Sequence, residues 1–415
     1  MAAASARGGK LSPLAPAPDW KKFEPYQQTM TQATFTRLIN TIYAPGGGFW
    51  KFARVGDDQV AIFSDEAHTQ HLFTLHFAKN DKSCRPRPYY FFPEPEHAPP
   101  IITVRDTNPD KPLAGLKICL DPGHLGGNWA KLEERYFAVG KNPPVLEARL
   151  NLITCRHIAE QLTALGATVS WTKENEEPVT TLRPGDLHEA AREAVQDGLT
   201  FHTDQRHATS YDGRVAEAAD MLFYRNAEIA ARADKVARLE PDLTLCIHYN
   251  AAAWGNPGDP IIVPYSRLVV FVNGAYAEGE LIYDDQKFDM LRKVLDQTAP
   301  LEKTAAFDIA AEMSRTFEMP PEPYTGSSSV RRIGTNPYVF ARNLLANRKF
   351  RGPNVFVEGP YMNALDAYPR LIAGDYDGVR KVSGAIRRSI YRDYADAVVR
   401  GVRKYFAGFS AKSGG

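Results

Sequence analysis

The sequence lacks the features that would indicate a disulfide scaffold, a membrane protein or a nucleic-acid-binding surface. Cysteine occurs 4 times in 415 residues, and the four form neither a CxxC pair nor a disulfide framework. No apolar run approaches the roughly 18 residues of a membrane-spanning helix. The 50 basic and 49 acidic side chains leave a formal net charge of +1. The chain therefore has no overall electrostatic bias toward nucleic acid or an anionic membrane.

What the chain does contain is typical of a globular protein with a sizeable core. Hydrophobic residues make up 44% of it and charged residues 24%, and 415 residues predict two domains rather than one. Cys119, Cys155 and Cys246 fall within predicted strands or a helix, where we expect buried free thiols. Residues 1–22 are rich in Ala, Ser, Gly and Pro and have no apolar h-region, so we expect a flexible lead-in rather than an intact signal peptide.

Residues 23–107 are predicted to form a small α+β domain of unknown role. One face of an amphipathic helix carries Phe35, Leu38, Ile39 and Ile42, and Gly46 to Gly48 end that helix. Short β-like runs follow, namely FWKFARV, QVAIFS and HLFTLHFA. A proline-rich stretch, RPRPYYFFPEPEHAPP, then leads into a linker.

Strands alternate with helices after Leu116, which predicts an α/β fold with a sheet flanked by helices. The strands are expected at KICL, ATVSWT, LTLCI, RLVVFV and NVFV. The helices are expected at 147–165, 214–239, 285–297, 302–317 and 376–407. The stretch 184–213 has no clear pattern and is expected to be a loop with some helix of its own.

Residues that bind metals or transfer protons follow three of these strands. His124 comes after KICL, His248 after LTLCI and Glu358 after NVFV, while Glu147 begins the helix 147–165. Ligand sites of open α/β sheets collect at the carboxyl ends of the strands. Two imidazoles and a carboxylate are the ligand set of a catalytic zinc, and a second carboxylate can act in proton transfer. The four residues therefore suffice for metal-assisted amide hydrolysis.

Four blocks carrying these residues resemble a known enzyme family. LKICLDPGHLGG, LEARLNLITCRHIAEQLTALGATVSWTK, PDLTLCIHYNA and PNVFVEGPYMN are similar, in order, to blocks of the zinc N-acetylmuramoyl-L-alanine amidases of the amidase-3 family. The resemblance covers about residues 115–407 and implies a mixed sheet flanked by helices. It also implies that His124, Glu147 and His248 bind zinc and that Glu358 is the catalytic acid/base.

The chain departs from the family pattern in several places. Leu125 stands where Gly usually follows the first metal-binding His, and Tyr249 stands where a small residue is common. The link 128–144 is longer than usual. The stretch 184–213 resembles an insertion of the kind that can cover the metal or carry regulatory contacts. These departures concern substrate detail and regulation more than the metal site.

The expected reaction is hydrolysis of the amide between the muramic acid lactyl group and L-alanine in peptidoglycan. That substrate implies the periplasm or cell envelope as the location and leaves room for a regulatory activator protein. Asn250 is a candidate substrate-binding residue, although a role in a turn explains it equally well. Arg342 is a second candidate, although a solvated basic surface explains it better. Two other functions stay open: a zinc peptidase or deacylase using the same four residues, and a catalytically silent peptidoglycan-binding protein.

Overall fold

A mixed sheet of seven strands lies at the centre of the molecule and carries helices on both faces. The computed structural model describes residues 9–89, 108–203, 205–327 and 329–410. The predicted fold class, a mixed sheet flanked by helices and preceded by a small α+β unit, is confirmed. Most of the proline-rich stretch and the first two residues of the linker, 106–107, lie outside the described residues.

The described residues contain strands β1 to β14 and α-helices α1 to α11. The strands are β1 (Ala53–Val55), β2 (Gln59–Phe63), β3 (His71–His76), β4 (Lys117–Pro122), β5 (Tyr136–Phe137), β6 (Val145–Leu146), β7 (Thr168–Trp171), β8 (Leu243–Tyr249), β9 (Val269–Val272), β10 (Val330–Arg332), β11 (Val339–Arg342), β12 (Asn354–Gly359), β13 (Arg380–Val382) and β14 (Ala385–Arg387). The helices are α1 (Gln32–Leu38), α2 (Trp129–Leu132), α3 (Glu147–Ala164), α4 (His188–Gln196), α5 (Tyr211–Met221), α6 (Glu228–Leu239), α7 (Asp284–Leu295), α8 (Thr298–Phe317), α9 (Leu345–Lys349), α10 (Tyr368–Ile372) and α11 (Ile390–Ser410).

The central sheet has the strand order β10-β11-β9-β12-β8-β4-β7. Strands β7, β4, β8 and β12 are parallel to one another, and β9 runs antiparallel to β12. Because parallel strands end at the same edge of a sheet, the carboxyl ends of β4, β8 and β12 meet there. This edge carries the residues predicted to perform the chemistry.

Alternation along the strands divides the core between the two faces of the sheet. Leu245 and Ile247 of β8 pack in the cluster that contains residues of α3, α8 and α11. Cys246 points to the other face and packs with residues of α6 and α9. His248, two residues after Cys246, lies on that second face, so its imidazole is separated by the sheet from helix α11.

The N-terminal unit shares a hydrophobic core with helix α7. Its antiparallel sheet β1-β2-β3 and helix α1 are joined in one buried cluster by Met290, Leu291, Val294 and Leu295. Within the predicted lead-in, the Lys10 carbonyl accepts a hydrogen bond from the Asp284 amide at 2.8 Å. The amide of Ser12 donates to Asp285 Oδ1 at 2.8 Å. Residues 10–12 are therefore bound along the start of α7.

The helix predicted over 376–407 is wrong in its first part. Helix α11 begins at Ile390, and β13 and β14 form an antiparallel hairpin before it. The two residues between these strands, Ser383 and Gly384, have φ values of 47° and 83°. Two consecutive residues with positive φ are the geometry of a tight two-residue hairpin turn, which a helix cannot accommodate. The other predicted helices and strands of the sheet are found close to their expected positions.

The free cysteines are found as expected. Cys119, Cys155 and Cys246 are buried free thiols inside the fold, and Cys84 is partly exposed. Among the described residues, no helix combines the length and the apolar character that crossing a bilayer requires.

Candidate metal centre

The carboxyl edge of the sheet brings three of the predicted site residues together. His124 follows β4 by two residues, His248 is the second-last residue of β8, and Glu147 is the first residue of α3. One donor atom from each residue lies within 4.8 Å of the other two, and this is the one such group of three or more His, Cys, Asp or Glu side chains in the described part of the chain. Glu147 is 3% exposed and His248 is 7% exposed.

The carboxylate of Glu147 lies between the two imidazoles. His124 Nε2 lies 3.2 Å from Glu147 Oε2, and His248 Nδ1 lies 3.1 Å from Glu147 Oε1. In a tetrahedral zinc site with metal–ligand distances of about 2.0–2.1 Å, neighbouring donor atoms lie about 3.3 Å apart. The donor types therefore fit zinc with one coordination position left for water or substrate, and the two separations from Glu147 are close to this value.

The electrostatics of the cluster favour positive charge between these three side chains. Burial disfavours the imidazolium form of His124, but the charge of Glu147 and hydrogen bonds with Glu133 and Glu147 outweigh burial and raise its pKa to about 9. Burial also opposes ionisation of Glu147, yet the two histidines hold the pKa of that carboxyl well below its usual range. Burial lowers the pKa of His248, which favours the neutral imidazole that a metal ligand must present.

A second carboxylate fixes the orientation of His124. Glu133 Oε2 lies 2.9 Å from His124 Nδ1 and accepts a hydrogen bond from the Leu125 amide at 3.0 Å. With Nδ1 bonded to Glu133, Nε2 is the ring nitrogen that faces Glu147. Carboxylates that bind the outer nitrogen of a metal-binding histidine in this way set its tautomer and raise its basicity.

The loop that carries His124 has a constrained backbone. His124 has a φ of 60°, a left-handed conformation that is uncommon for residues other than glycine. The fully buried Arg232 of α6 donates to the carbonyls of Pro122 at 3.2 Å and His124 at 3.3 Å. Asn151 Nδ2 donates to the Gly123 carbonyl at 3.1 Å. These bonds from two helices hold the loop in its strained conformation.

The ring of His248 has two close neighbours, and a third residue binds its backbone carbonyl. It stacks on Phe356 with the ring centroids 4.0 Å apart, and a Cβ at Gly123 would lie 2.0 Å from its Cε1. The hydroxyl of Tyr394 lies 2.9 Å from both the His248 and the Val357 carbonyl oxygens. Helix α11 therefore ties together the two strands that carry His248 and Glu358.

Glu358 lies beside the cluster but outside the group of three donors. It is paired in register with His248 across β12 and β8, so the two side chains share a face of the sheet. Burial first, and then the charge of Glu147, raise the pKa of Glu358 to about 8, while His124, Arg135 and Arg342 oppose the rise. A carboxyl with such a pKa can hold and release a proton near neutral pH.

The two candidate substrate-binding residues lie at the ends of strands β8 and β11. Asn250 directly follows β8, and its amide nitrogen donates to Glu322 Oε1 at 3.1 Å. Arg342 ends β11, with its guanidinium 5.6 Å from the centre of the Phe271 ring, and it is close enough to lower the pKa of Glu358. Tyr249 points away from His248 into the core, where its hydroxyl lies 3.0 Å from that of Thr154.

Glu133, Arg135 and Arg232 were not predicted from the sequence. Arg135 Nε lies 3.7 Å from Glu147 Oε2, and the small hairpin β5-β6 places it there because the Glu147 amide donates to the Arg135 carbonyl. A signal was available for two of them, since the unusually long link contains three consecutive charged residues, Glu133 to Arg135. Arg232 is one of many charged residues on a long amphipathic helix, and nothing in the sequence distinguishes it.

Comparisons with known proteins give matches among solved structures alone. No family model matches the chain, and no curated protein matches it. It is similar to the N-acetylmuramyl-L-alanine amidase Ami1 from Mycobacterium smegmatis, with 15% identity, a TM-score of 0.39, and coverage of 71% of this chain and 99% of that one. The CwlD amidase from Clostridioides difficile, in complex with the GerS lipoprotein, has 14% identity and a TM-score of 0.38, and the match covers 71% of this chain and 100% of that one. The N-acetylmuramoyl-L-alanine amidase AmiC2 of Nostoc punctiforme has 15% identity and a TM-score of 0.35, and the match covers 71% of this chain and 99% of that one.

Proposed function

We propose that this chain is a zinc-dependent N-acetylmuramoyl-L-alanine amidase, which hydrolyses the amide between the muramic acid lactyl group and L-alanine in peptidoglycan. The observation that carries the proposal is the convergence of His124 Nε2, the Glu147 carboxylate and His248 Nδ1, with Glu358 in register beside His248. The four sequence blocks that resemble the amidase-3 family support the choice of substrate.

His124, Glu147 and His248 are the proposed metal ligands. Zinc bound by them would polarise the carbonyl of the scissile amide and lower the pKa of a water molecule to about 7. Glu133 keeps the His124 ring in the tautomer that presents Nε2, and the Tyr249 amide, 3.3 Å from Glu147 Oε1, keeps the carboxylate in place. The protein thus holds the ligands before any metal binds.

Glu358 is the proposed acid/base. It takes a proton from the attacking water and delivers it to the nitrogen of the departing L-alanine. Burial and the charge of Glu147 raise its pKa to about 8, so the protonated form is readily available for the second step. A cation beside Glu147 would offset that charge and lower the pKa of Glu358, which favours the first step.

Arg135 and Arg342 are the proposed contacts for the acidic groups of a stem peptide. Both guanidinium groups lie near Glu358, as their effect on its pKa indicates, and both side chains reach solvent. Arginine binds carboxylates through two parallel hydrogen bonds. Asn250, anchored to Glu322, would line the same edge of the site.

The wider assignments follow from this substrate. We propose residues 115–407 as the catalytic unit, the periplasm or cell envelope as the location, and peptidoglycan as the partner. A regulatory activator stays a prediction. No role is assigned to residues 23–107, whose described part, 23–89, packs against α7.

The experiment that tests the proposal is mass spectrometry of the products released from purified sacculi, with and without a zinc chelator. We expect intact stem peptides with a free L-alanine amine, and no release after chelation or with His124→Ala. Products cut within the stem peptide would replace the amidase by a zinc peptidase. Zinc binding without any release by the wild-type chain would support the silent peptidoglycan-binding protein.

A further inference from the structure

Residues 184–213 pack against the loop that carries His124. The stretch begins with a 3₁₀ helix, Pro184–Leu187, continues through α4 and ends in the first turn of α5. Residue 204 lies outside the described residues. The sequence left open whether this stretch covers the metal or carries regulatory contacts.

The apolar part of this contact surrounds Leu125. That side chain is 0% exposed and belongs to a separate hydrophobic cluster. Two of the cluster's other buried members, Leu187 and Ala191, lie within 184–213. The others lie on α5 and the helical residues that follow it: Val215, Ala218, Ala219, Leu222, Phe223 and Ala227. Leu125 follows His124 directly, so burying it fixes the chain on one side of the histidine. A glycine at this position would have no side chain to bury.

The polar part of the contact is centred on Arg206. Its Nη2 donates to the Leu132 carbonyl at 2.8 Å, and its Nε donates to Glu134 Oε1 at 3.1 Å. Its Nη1 donates to Asp220 Oδ2 at 2.8 Å, and the hydroxyl of Thr203 also donates to Glu134. Arg206 therefore binds the residues on both sides of Glu133, the carboxylate that orients His124.

The conformation held by these bonds is strained and buried. Glu134 has a φ of 55° and is 7% exposed, so its carboxylate depends on its hydrogen-bond partners. None of the hydrogen bonds and ion pairs found among the described residues joins 184–213 to His124, Glu147, His248 or Glu358. The stretch contacts the support of the metal centre rather than its ligands.

We propose that residues 184–213 act as a brace that positions His124, with Arg206 as the positioning residue that holds Glu133 in place. The part of this proposal that concerns zinc affinity rests on the proposed function, because it takes His124 as a zinc ligand. Three of the four departures from the family pattern, Leu125, the long link and the insertion, then form one structural unit. Removing the insertion would weaken the metal centre instead of opening it.

The test compares Arg206→Ala, Arg206→Lys and Arg192→Ala in the full chain. Arg192 is the matched control, because it lies in the same stretch but pairs with the exposed Glu189 on its own helix. One readout is hydrogen exchange of peptides covering 124–135 in the metal-free protein. The other is the zinc dissociation constant, measured by competition with a chromophoric chelator.

We expect Arg206→Ala to speed exchange in 124–135 and to weaken zinc binding about tenfold, the lower end of the range for outer-sphere partners of metal ligands. Arg206→Lys should keep part of the exchange protection and part of the zinc affinity, because an ammonium group keeps the charge but cannot reach all three acceptors. Arg192→Ala should match the wild type in both. Should the alanine variant fail to fold, the lysine variant decides.

The two readouts separate the possible failures. If hydrogen exchange in 124–135 is the same in the Arg206 variants and the control, the brace is refuted, whatever the zinc dissociation constants are. If all variants lose thermal stability equally but keep local exchange and zinc affinity, Arg206 has a merely structural role and the proposal fails. A wild-type chain that binds no zinc refutes the proposed function, while the exchange readout still decides on the brace.

Discussion

Glu358 differs from the three proposed ligands in a way that separates metal binding from proton transfer. It lies outside the group of converging donors, although it shares a sheet face with His248. We therefore predict that Glu358→Gln keeps zinc but lowers amidase activity about 10²- to 10⁴-fold, the usual contribution of a general acid/base. Metal analysis of the purified variant, together with product release from sacculi, checks this prediction.

The matched variant for Glu358→Gln is His124→Ala. It removes a ligand and should leave the protein without zinc, since two remaining donors do not form a stable zinc site. The assignment of roles is wrong if the Glu358 variant is the one that is purified without metal. Both variants should keep the circular dichroism spectrum of the wild type, because neither side chain belongs to the hydrophobic core.

Gly123 offers a second residue-scale prediction. A Cβ at this position would lie 2.0 Å from His248 Cε1 and 2.3 Å from Nε2, so the ring would have to leave its position. We expect Gly123→Ala to abolish zinc binding while the sheet stays folded. Gly279→Ala is the control, because a Cβ there meets nothing within 4 Å. Zinc titration of the alanine variant at wild-type affinity would contradict the proposed position of His248.

At this scale the sequence predicted the residues to which the chemistry is proposed, but not their supports. His124, His248 and Glu358 could be found because strand ends are recognisable from hydrophobic patterns. Glu133 and Arg232 act through hydrogen bonds to residues 9 and 108 positions away, and no local pattern records such a pairing. The same limit applies to Arg206, which is 72 residues from Glu134.

At the scale of elements, helix α11 couples the two strands that end at the site. The Tyr394 hydroxyl lies 2.9 Å from the carbonyl oxygens of His248 and Val357, and both groups are buried. We predict that Tyr394→Phe lowers the free energy of unfolding by about 1–3 kcal/mol, because it leaves a buried acceptor without its donor. Zinc affinity should fall about tenfold, because the backbone of a ligand loses its support.

The control for this prediction lies one turn earlier on the same helix. Tyr391 is also buried, but its hydroxyl donates to the Leu371 carbonyl at 2.9 Å, away from the strand ends. Tyr391→Phe should lower stability by a similar amount and leave zinc affinity unchanged. Chemical denaturation and zinc titration of both variants make the comparison. An equal loss of zinc affinity in both would mean that α11 affects the site through global stability alone.

Elements were predictable where one periodicity dominated a long stretch. Helix α3 and the strands of the sheet have clear apolar patterns, whereas β13 and β14 have three residues each. An alternation of apolar and polar residues cannot be recognised in so short a strand. The helix predicted from the pattern of α11 therefore included the hairpin. The helix predicted over 214–239 contains a π-helical stretch, Leu222–Ala227, that no propensity indicates.

At the scale of the whole molecule, the N-terminal unit and α7 stabilise each other. Met290, Leu291, Val294 and Leu295 are at most 2% exposed, and their partners include residues of the N-terminal sheet and helices. Polar contacts add to this packing: the Lys287 ammonium donates to the Ser64 carbonyl at 2.9 Å, and the Tyr26 hydroxyl donates to Asp296. The unit is therefore expected to be needed for folding of the catalytic part.

The last prediction concerns a chain that begins at residue 108. Burying an aliphatic or Met side chain contributes about 1.5–3 kcal/mol, so exposing four such side chains of α7 removes an amount comparable with the whole stability of a domain. We expect this fragment to bind a hydrophobic dye and to lack a cooperative thermal transition. Co-expression of residues 1–107 as a separate chain should restore the transition and co-purify with the fragment. If the fragment alone melts cooperatively near the wild-type temperature, residues 23–107 are an independent domain and the core shared with α7 is dispensable for folding.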